Sequence, residues 1–229
     1  MLRKTSFTKG ENYHCYTRGT DKRKIFLDKG DYIRFIVLLY ICNSTQPIHI
    51  SNFESKKLME FFDLEKERSL VAIGTYCLMP NHIHLLLQEV EKGGLSLFMK
   101  KLLTAYSMYF NKKYQRKGVL FEGCFKAEHI NEDRYLKYLF SYIHLNPVKL
   151  IDSKWKERGL KNLKQAKGFL RNYEYSSYLD YLGIERPQNK ILNLSAFPNY
   201  FENIKDFWSE IFEWLSFGED FSRQGRSLP

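Results

Sequence analysis

At 229 residues the chain lies between one large domain and two small ones, and a norm of about 150 residues per domain favours one core with an extension. A composition of 44% hydrophobic and 27% charged residues is that of a folded globular protein and excludes a disordered tail, a collagen-like rod and a low-complexity array. Lysine and arginine total 36 against 26 acids, a formal net charge of +10, with a pI near 9.3; a polyanion is therefore the first partner to consider.

In chain order, residues 1–10 are basic with no apolar stretch behind them and no cleavage-like site. The longest apolar run, 35–42, is far short of the roughly 18 residues a bilayer span requires. A cytoplasmic protein without a membrane partner is expected. Residues 13–19 alternate and read as a strand ending at a glycine turn, followed by the cluster Asp21-Lys22-Arg23-Lys24. Residues 31–42 carry Ile33, Ile36, Val37 and Leu39 at helical spacing, and 43–55 are looser. Two β-rich runs, 70–79 and 82–90, joined by Pro80-Asn81, form a hairpin. Leu95, Phe98, Met99, Leu102, Tyr106, Tyr109 and Phe110 define a second helix, with Gly118 just beyond it. A short strand over 124–130 follows, and Asn131-Glu132-Asp133 opens a third helix that runs to about Asn146, before Pro147.

The order β, α, β, β, α, β specifies an α+β, ferredoxin-like split βαβ fold: an antiparallel sheet of four to five strands with helices on one face. Residues 1–150 form the core, and 151–229 a basic linker with a mostly helical extension. Many activities use this fold, RNA recognition included. Charge is segregated along it. Between Met99 and Lys126 seven basic residues, among them Lys112, Lys113, Arg116, Lys117 and Lys126, face only Glu122 and are interleaved with aromatics. Residues 149–171 hold eight more against Asp152 and Glu157, whereas 201–221 carry Glu202, Asp206, Glu210, Glu213, Glu219 and Asp220 against Lys205 alone. A basic, aromatic-interleaved helix suits a phosphate backbone and unpaired bases. The cysteines, at 15, 42, 77 and 124, are too scattered for a disulfide framework or zinc ribbon and read as reduced thiols. No phosphate-binding glycine loop or dinucleotide fingerprint is present, so no nucleotide cofactor is expected.

Two features could carry chemistry. His82 and His84 are i and i+2 on a strand and share a face, where two imidazoles supply two metal ligands and leave positions open for a substrate oxygen. On the third helix Tyr135, Tyr138, Tyr142 and Asn146 form one stripe, and Leu136, Leu139 and Ile143 another. Asn146, one turn from Tyr142, could reach a metal whose bound phosphate the phenol attacks, but spacing alone does not choose Tyr142 over Tyr138.

The motifs together resemble a known family. Tyr13-His14, Arg18-Gly19, Ile25-Phe26, the run from Tyr76 through Pro80-Asn81-His82-Ile83-His84 to Leu86, Phe110-Asn111-Lys112-Lys113-Tyr114, Gly118 to Gly123, Phe125-Lys126-Ala127, Tyr142-Ile143-His144-Leu145-Asn146-Pro147-Val148 and Tyr173 to Tyr178 are similar to the single-tyrosine HUH transposases, closest to the REP-associated tyrosine transposase branch. The likeness covers about residues 12–183. It implies a metal site of His82, His84 and Asn146 loaded with Mg2+ or Mn2+, Tyr142 as nucleophile, a 5′-phosphotyrosine intermediate, and single-stranded or hairpin DNA as substrate. Arg18, Lys22, Arg23, Lys112, Lys113, Arg116, Lys117 and Lys126 are the expected DNA contacts, with His144 a candidate base for Tyr142 and a monomer or homodimer as the assembly. Cys124 stands where the pattern leads one to expect arginine. The competing expectation is a DNA- or RNA-binding module that does no catalysis; a relaxase or replication nickase fits the flanking motifs less well.

Overall fold

The computed structural model describes residues 6–47, 50, 57–155, 160, 162–201 and 203–216. The Pro80-Asn81 turn sends β2 (Val71–Met79) back as β3 (His82–Glu89), and β1 (Asn12–Arg18) and β4 (Lys126–Ile130) complete an antiparallel sheet in the order β2-β3-β1-β4. Gly19 ends β1 with its amide on the Asn81 carbonyl at 2.8 Å. A Cβ there would lie 2.4 Å from the Arg23 carbonyl oxygen, so only glycine lets the chain pass so close to the hairpin turn.

Alternation sorts the side chains. Tyr13, Cys15, Ile83, Leu85 and Leu87 join the core under α1 (Lys29–Ile41) and α2 (Gly94–Lys113), both on one face of the sheet as expected. Leu86, Cys77, Met79 and Ile130 point the other way, beneath α3 (Asp133–Leu145), which covers the opposite face. The two helices of the first face are tied at their ends. Asp28 and Asp31 form a reciprocal capping box at the start of α1. Buried Asp31 also meets the Lys113 ammonium at 2.7 Å and the hydroxyls of Tyr109 and Tyr114 at 3.0 and 2.8 Å. Burial alone would raise the Asp31 carboxyl, yet these donors and the Leu27 amide hold it below its ordinary value.

The chain after α3 returns to the sheet. Leu78 donates to the Tyr175 carbonyl and Ser177 to that of Tyr76, both at 3.0 Å, and Cys77 forms an isolated bridge with Ser176, so the tyrosine-dense stretch covers the outer edge of β2 without adding a strand to the four-stranded sheet. Arg186 clamps it, pairing with buried Asp180 at 2.5 Å and donating to the carbonyls of Ser176 and Glu174 at 2.6 and 3.0 Å. α4 (Leu163–Arg171), the single turn α5 (Tyr178–Tyr181) and α6 (Ile204–Ser216) make the extension helical. Phe207 and Ile211 of α6 are buried with Leu145, Val148 and Tyr178, and Lys137 of α3 pairs with Glu210. The acidic end thus covers the α3 side of the core. Lys156, Glu157, Arg158, Lys161, Glu202, Glu219 and Asp220 of the charge runs lie outside the described residues. Cys15, Cys42 and Cys77 are buried and Cys124 is exposed, none of them in a disulfide. Among the described residues no helix is long and apolar enough to cross a membrane.

Replacing Arg186 by Met leaves the Asp180 carboxylate, 3% exposed, without its counter-ion. Unfolding in urea should show a loss of about 3–5 kcal/mol; a change below about 1 kcal/mol would contradict a clamping role.

Candidate active site

The register of the sheet decides which side chains meet. Arg18 pairs with His82, Tyr16 with His84 and Lys126, and His14 with Leu86 and Glu128. All therefore occupy the α3 side of the sheet, apolar toward Leu86 and polar toward the hairpin turn. The polar end opens into a cavity of about 590 Å³ lined by His82 and His84, Tyr16 and Glu128, and the cations Arg18, Lys22, Lys126 and Lys149.

Each histidine is oriented through Nδ1. His82 Nδ1 lies 2.7 Å from Asn81 Oδ1, and the other end of that amide donates to the Lys22 carbonyl at 3.2 Å. Because the amide nitrogen is committed to Lys22, the oxygen faces His82, and Nδ1 carries the proton. His84 Nδ1 lies 3.0 Å from Nε2 of His14, which is fully buried. The two strand histidines stand edge to face with centroids 5.0 Å apart.

From α3, the Tyr142 ring comes within 5.7 Å of His84 and 6.0 Å of His14. Asn146 donates through Nδ2 to the Tyr142 carbonyl at 3.0 Å, which leaves its buried Oδ1 without a hydrogen-bond partner. Burial pushes the Tyr142 phenol well above its ordinary value, while a hydrogen bond from the Asn146 side chain pulls it down. The ring is 2% exposed and sits one layer beneath the cavity. Across the site Tyr16 donates to Glu128 at 2.9 Å; burial and that bond raise its phenol to about 12.

The structure thus brings His82, His84, Tyr142 and Asn146 to one corner, together with Arg18, Lys22, Lys126 and Cys124. Arg18 is bridged to Glu122, and Arg23 bonds the Thr20 carbonyl and Asp21 at 2.9 and 3.1 Å. Lys113 is committed to the Asp28 and Asp31 network. Lys112, Arg116 and Lys117 are not in the cavity wall. Sequence reasoning assigned no role to His14, Tyr16, Glu128 or Lys149. Strand alternation marks His14 and Tyr16 as sharing a face with Arg18, but only the pairing of β1 with β3 brings that face to His82 and His84.

His144 does not serve as a base for Tyr142. It is fully buried and its Nε2 meets the hydroxyls of Thr75 and Ser177, each at 2.8 Å. Burial drives the imidazole down to about 3, against a hydrogen bond with the Phe140 backbone. It anchors α3 to β2 and to the segment bridged to the edge of β2.

Among the described residues no three His, Cys, Asp or Glu side chains converge as a metal cluster. A cation here would rest on two imidazoles and an amide oxygen. The histidine pair and the orphaned Asn146 oxygen fit that role, and so few protein donors suit an octahedral Mg2+ or Mn2+ that keeps part of its shell for water or phosphate oxygen.

The antiparallel sheet thus carries a histidine pair on one strand and faces a tyrosine from the helix that covers it. The match to the family model "Transposase IS200 like" spans residues 11–146, and the chain belongs to that family of transposases. No curated protein matches it. Among solved structures, a REP-associated tyrosine transposase bound to a REP hairpin is 12% identical, with 88% of this chain and 99% of that one covered at a TM-score of 0.47. A candidate transposase from Deinococcus radiodurans R1 is 17% identical over 62% of this chain and 95% of its own, at a TM-score of 0.32.

The buried His144 predicts a pH dependence. Unfolded, the imidazole binds a proton below about pH 6.5, whereas folded it does so only near 3. Between these values the unfolded chain holds more protons, so stability falls as pH drops from 6.5 toward 5, by up to about 1.4 kcal/mol per unit from this group. Denaturation of the wild type and of His144→Gln should differ by that slope; parallel pH profiles would contradict it.

Proposed function

We propose that this chain is a metal-dependent single-strand DNA transposase that cleaves and rejoins DNA at hairpin-forming repeats through a 5′-phosphotyrosine. The observation that carries the reading is the Tyr142 ring packed 5.7 Å from His84 in a member of the IS200-like transposase family. The catalytic unit is assigned to residues 1–150, with 151–229 as the extension that holds α3 in place.

DNA enters the basic cavity, where Lys22, Lys126 and Lys149 contact the backbone and Arg18 exchanges Glu122 for a phosphate. A divalent cation on His82, His84 and the Asn146 oxygen would neutralise charge developing on the scissile phosphate. Tyr142 rotates from beneath the cavity, loses its proton and attacks through its phenolate oxygen. The phosphorus–O3′ bond breaks, the new bond joins phosphorus to the tyrosine, and the departing strand keeps a 3′-hydroxyl after protonation. One phosphodiester replaces another, so a strand 3′-hydroxyl can reverse the step with no triphosphate. The cost of ionising a buried phenol makes loss of that proton the demanding part of the step.

The burial of Tyr142, 2% exposed, favours a second reading, DNA binding without catalysis. A single-stranded hairpin oligonucleotide labelled at its 3′ end, on the fragment that would be joined to the tyrosine, separates them in the presence of Mn2+. The wild type should cleave it and become covalently attached, Tyr138→Phe should do the same, and Tyr142→Phe should bind but neither cleave nor attach. Cleavage by Tyr142→Phe would contradict the assignment. Binding by the wild type with no cleavage under any divalent cation would favour the second reading.

Binding itself sorts the lysines. Lys126→Ala and Lys149→Ala should each weaken binding and reduce the slope of log affinity against log salt by about 1. Lys113→Ala should leave that slope unchanged and instead lower the thermal midpoint, since its ammonium is committed to Asp28 and Asp31.

A further inference from the structure

His14 has no role in the reading above, although it is fully buried and in contact with both His84 and Tyr142. It sits on β1 diagonally across from His84, since His84 pairs with Tyr16 and His14 with Leu86. The two imidazoles are nearly parallel, 20° apart with centroids at 5.2 Å, and His14 Nε2 lies 3.0 Å from His84 Nδ1. Tyr16 packs on both rings, at 5.0 Å from His14 and 6.0 Å from His84, and its hydroxyl is held by Glu128.

We infer that His14 is the positioning residue of the histidine pair: its Nε2 accepts the Nδ1 proton of His84 and so fixes Nε2 of His84 as the nitrogen that carries the lone pair. Two neutral imidazoles in contact leave two choices, and a proton can lie on only one side of the bond. Were His14 the donor, the His84 proton would sit on Nε2 and that nitrogen could ligate nothing. The opposite direction puts the His14 proton on Nδ1, leaves His84 Nε2 open to ligate, and reproduces at His84 what Asn81 does at His82. There the amide nitrogen is committed to the Lys22 carbonyl at 3.2 Å, so its oxygen must accept from His82 Nδ1 at 2.7 Å. One strand neighbour and one turn neighbour thereby set both imidazoles in the same tautomer, the arrangement in which a metal-ligating histidine donates its second nitrogen to a fixed acceptor.

The inference rests on the proposed metal site only for its purpose, and the test separates the two. Histidine side-chain 1H–15N correlation spectra of the metal-free protein, recorded near pH 8 where free imidazoles are neutral, report the tautomer of His84 directly. The wild type should show the Nδ1-protonated form. His14→Gln, which retains an acceptor, should keep it, and His14→Leu should shift His84 toward Nε2 protonation. Mn2+ titrations without DNA, followed by electron paramagnetic resonance, should show affinity lowered about 10–100-fold in His14→Leu and largely restored in His14→Gln. An Nε2-protonated His84 in the wild type overturns the inference without recourse to any variant. So does a folded His14→Leu protein with unchanged tautomer and affinity. Absence of Mn2+ binding in every form, with the tautomer pattern as expected, would overturn the metal reading and leave the His14–His84 assignment supported.

Discussion

The pairing of β1 with β3 is the constraint on which the rest of the molecule depends. Side chains alternate strictly along both strands, so one choice of register sends Ile83, Leu85 and Leu87 beneath α1 and α2 and sends His82 and His84 to the face under α3. Slipping β3 by one residue would exchange these sets. At about 1.5–3 kcal/mol for each buried aliphatic chain, the three apolar residues alone oppose that slip by roughly 5–9 kcal/mol. The hydrophobic core thus holds the polar site in register without touching it. Gly19 and Asn81 lock the end of the same pairing, where backbone contact at 2.8 Å joins the strand terminus to the turn that orients His82.

Above the histidines, α3 is held from three sides. Its inner stripe meets Leu86 and Ile130, His144 bonds Thr75 on β2 and Ser177 beside the edge of β2, and Phe207 and Ile211 of α6 close over its end. The extension therefore acts on the site through the position of Tyr142. The clamp of Arg186 on Asp180 and the Ser176 carbonyl maintains that support. Electrostatics divides the site in the same way. Cations and the histidines face the cavity, whereas Tyr142 lies in a buried layer that disfavours its anion, so in the proposed reaction access and ionisation of the phenol are linked.

Much of this architecture is legible in the sequence. Alternation in 82–90, helical spacing in 95–114 and the turn at Pro80-Asn81 depend on local periodicity, and the elements form where they predict. The face occupied by α3 follows from tertiary packing and has no local signature. The same holds for Lys113, whose charge is evident but whose partner Asp31 is 82 positions away, and for His144, which shares a helix with Tyr142 yet points into a polar pocket made by two other segments. Spacing placed Tyr138 and Tyr142 on one stripe and could not separate them. His14, Tyr16 and Glu128 are invisible as site residues until cross-strand register is known, because they reach the site from β1 and β4 and not from the strand of the histidine pair. The chain's match to the IS200-like family over residues 11–146 agrees with the motif order along that stretch, a signal carried by the whole set of motifs and by none alone.

The account stands on one claim, that Tyr142 and the histidine pair form a single reactive centre. Mass spectrometry of the covalent product tests it most directly: the protein is reacted with a single-stranded hairpin oligonucleotide and Mn2+, digested with nuclease and protease, and the modified peptide is sequenced. The account predicts a nucleotide adduct on Tyr142, absent when His82 and His84 are both replaced by alanine. An adduct on Tyr135, Tyr138 or Tyr16, or one on Tyr142 that forms undiminished without the histidines, would contradict it.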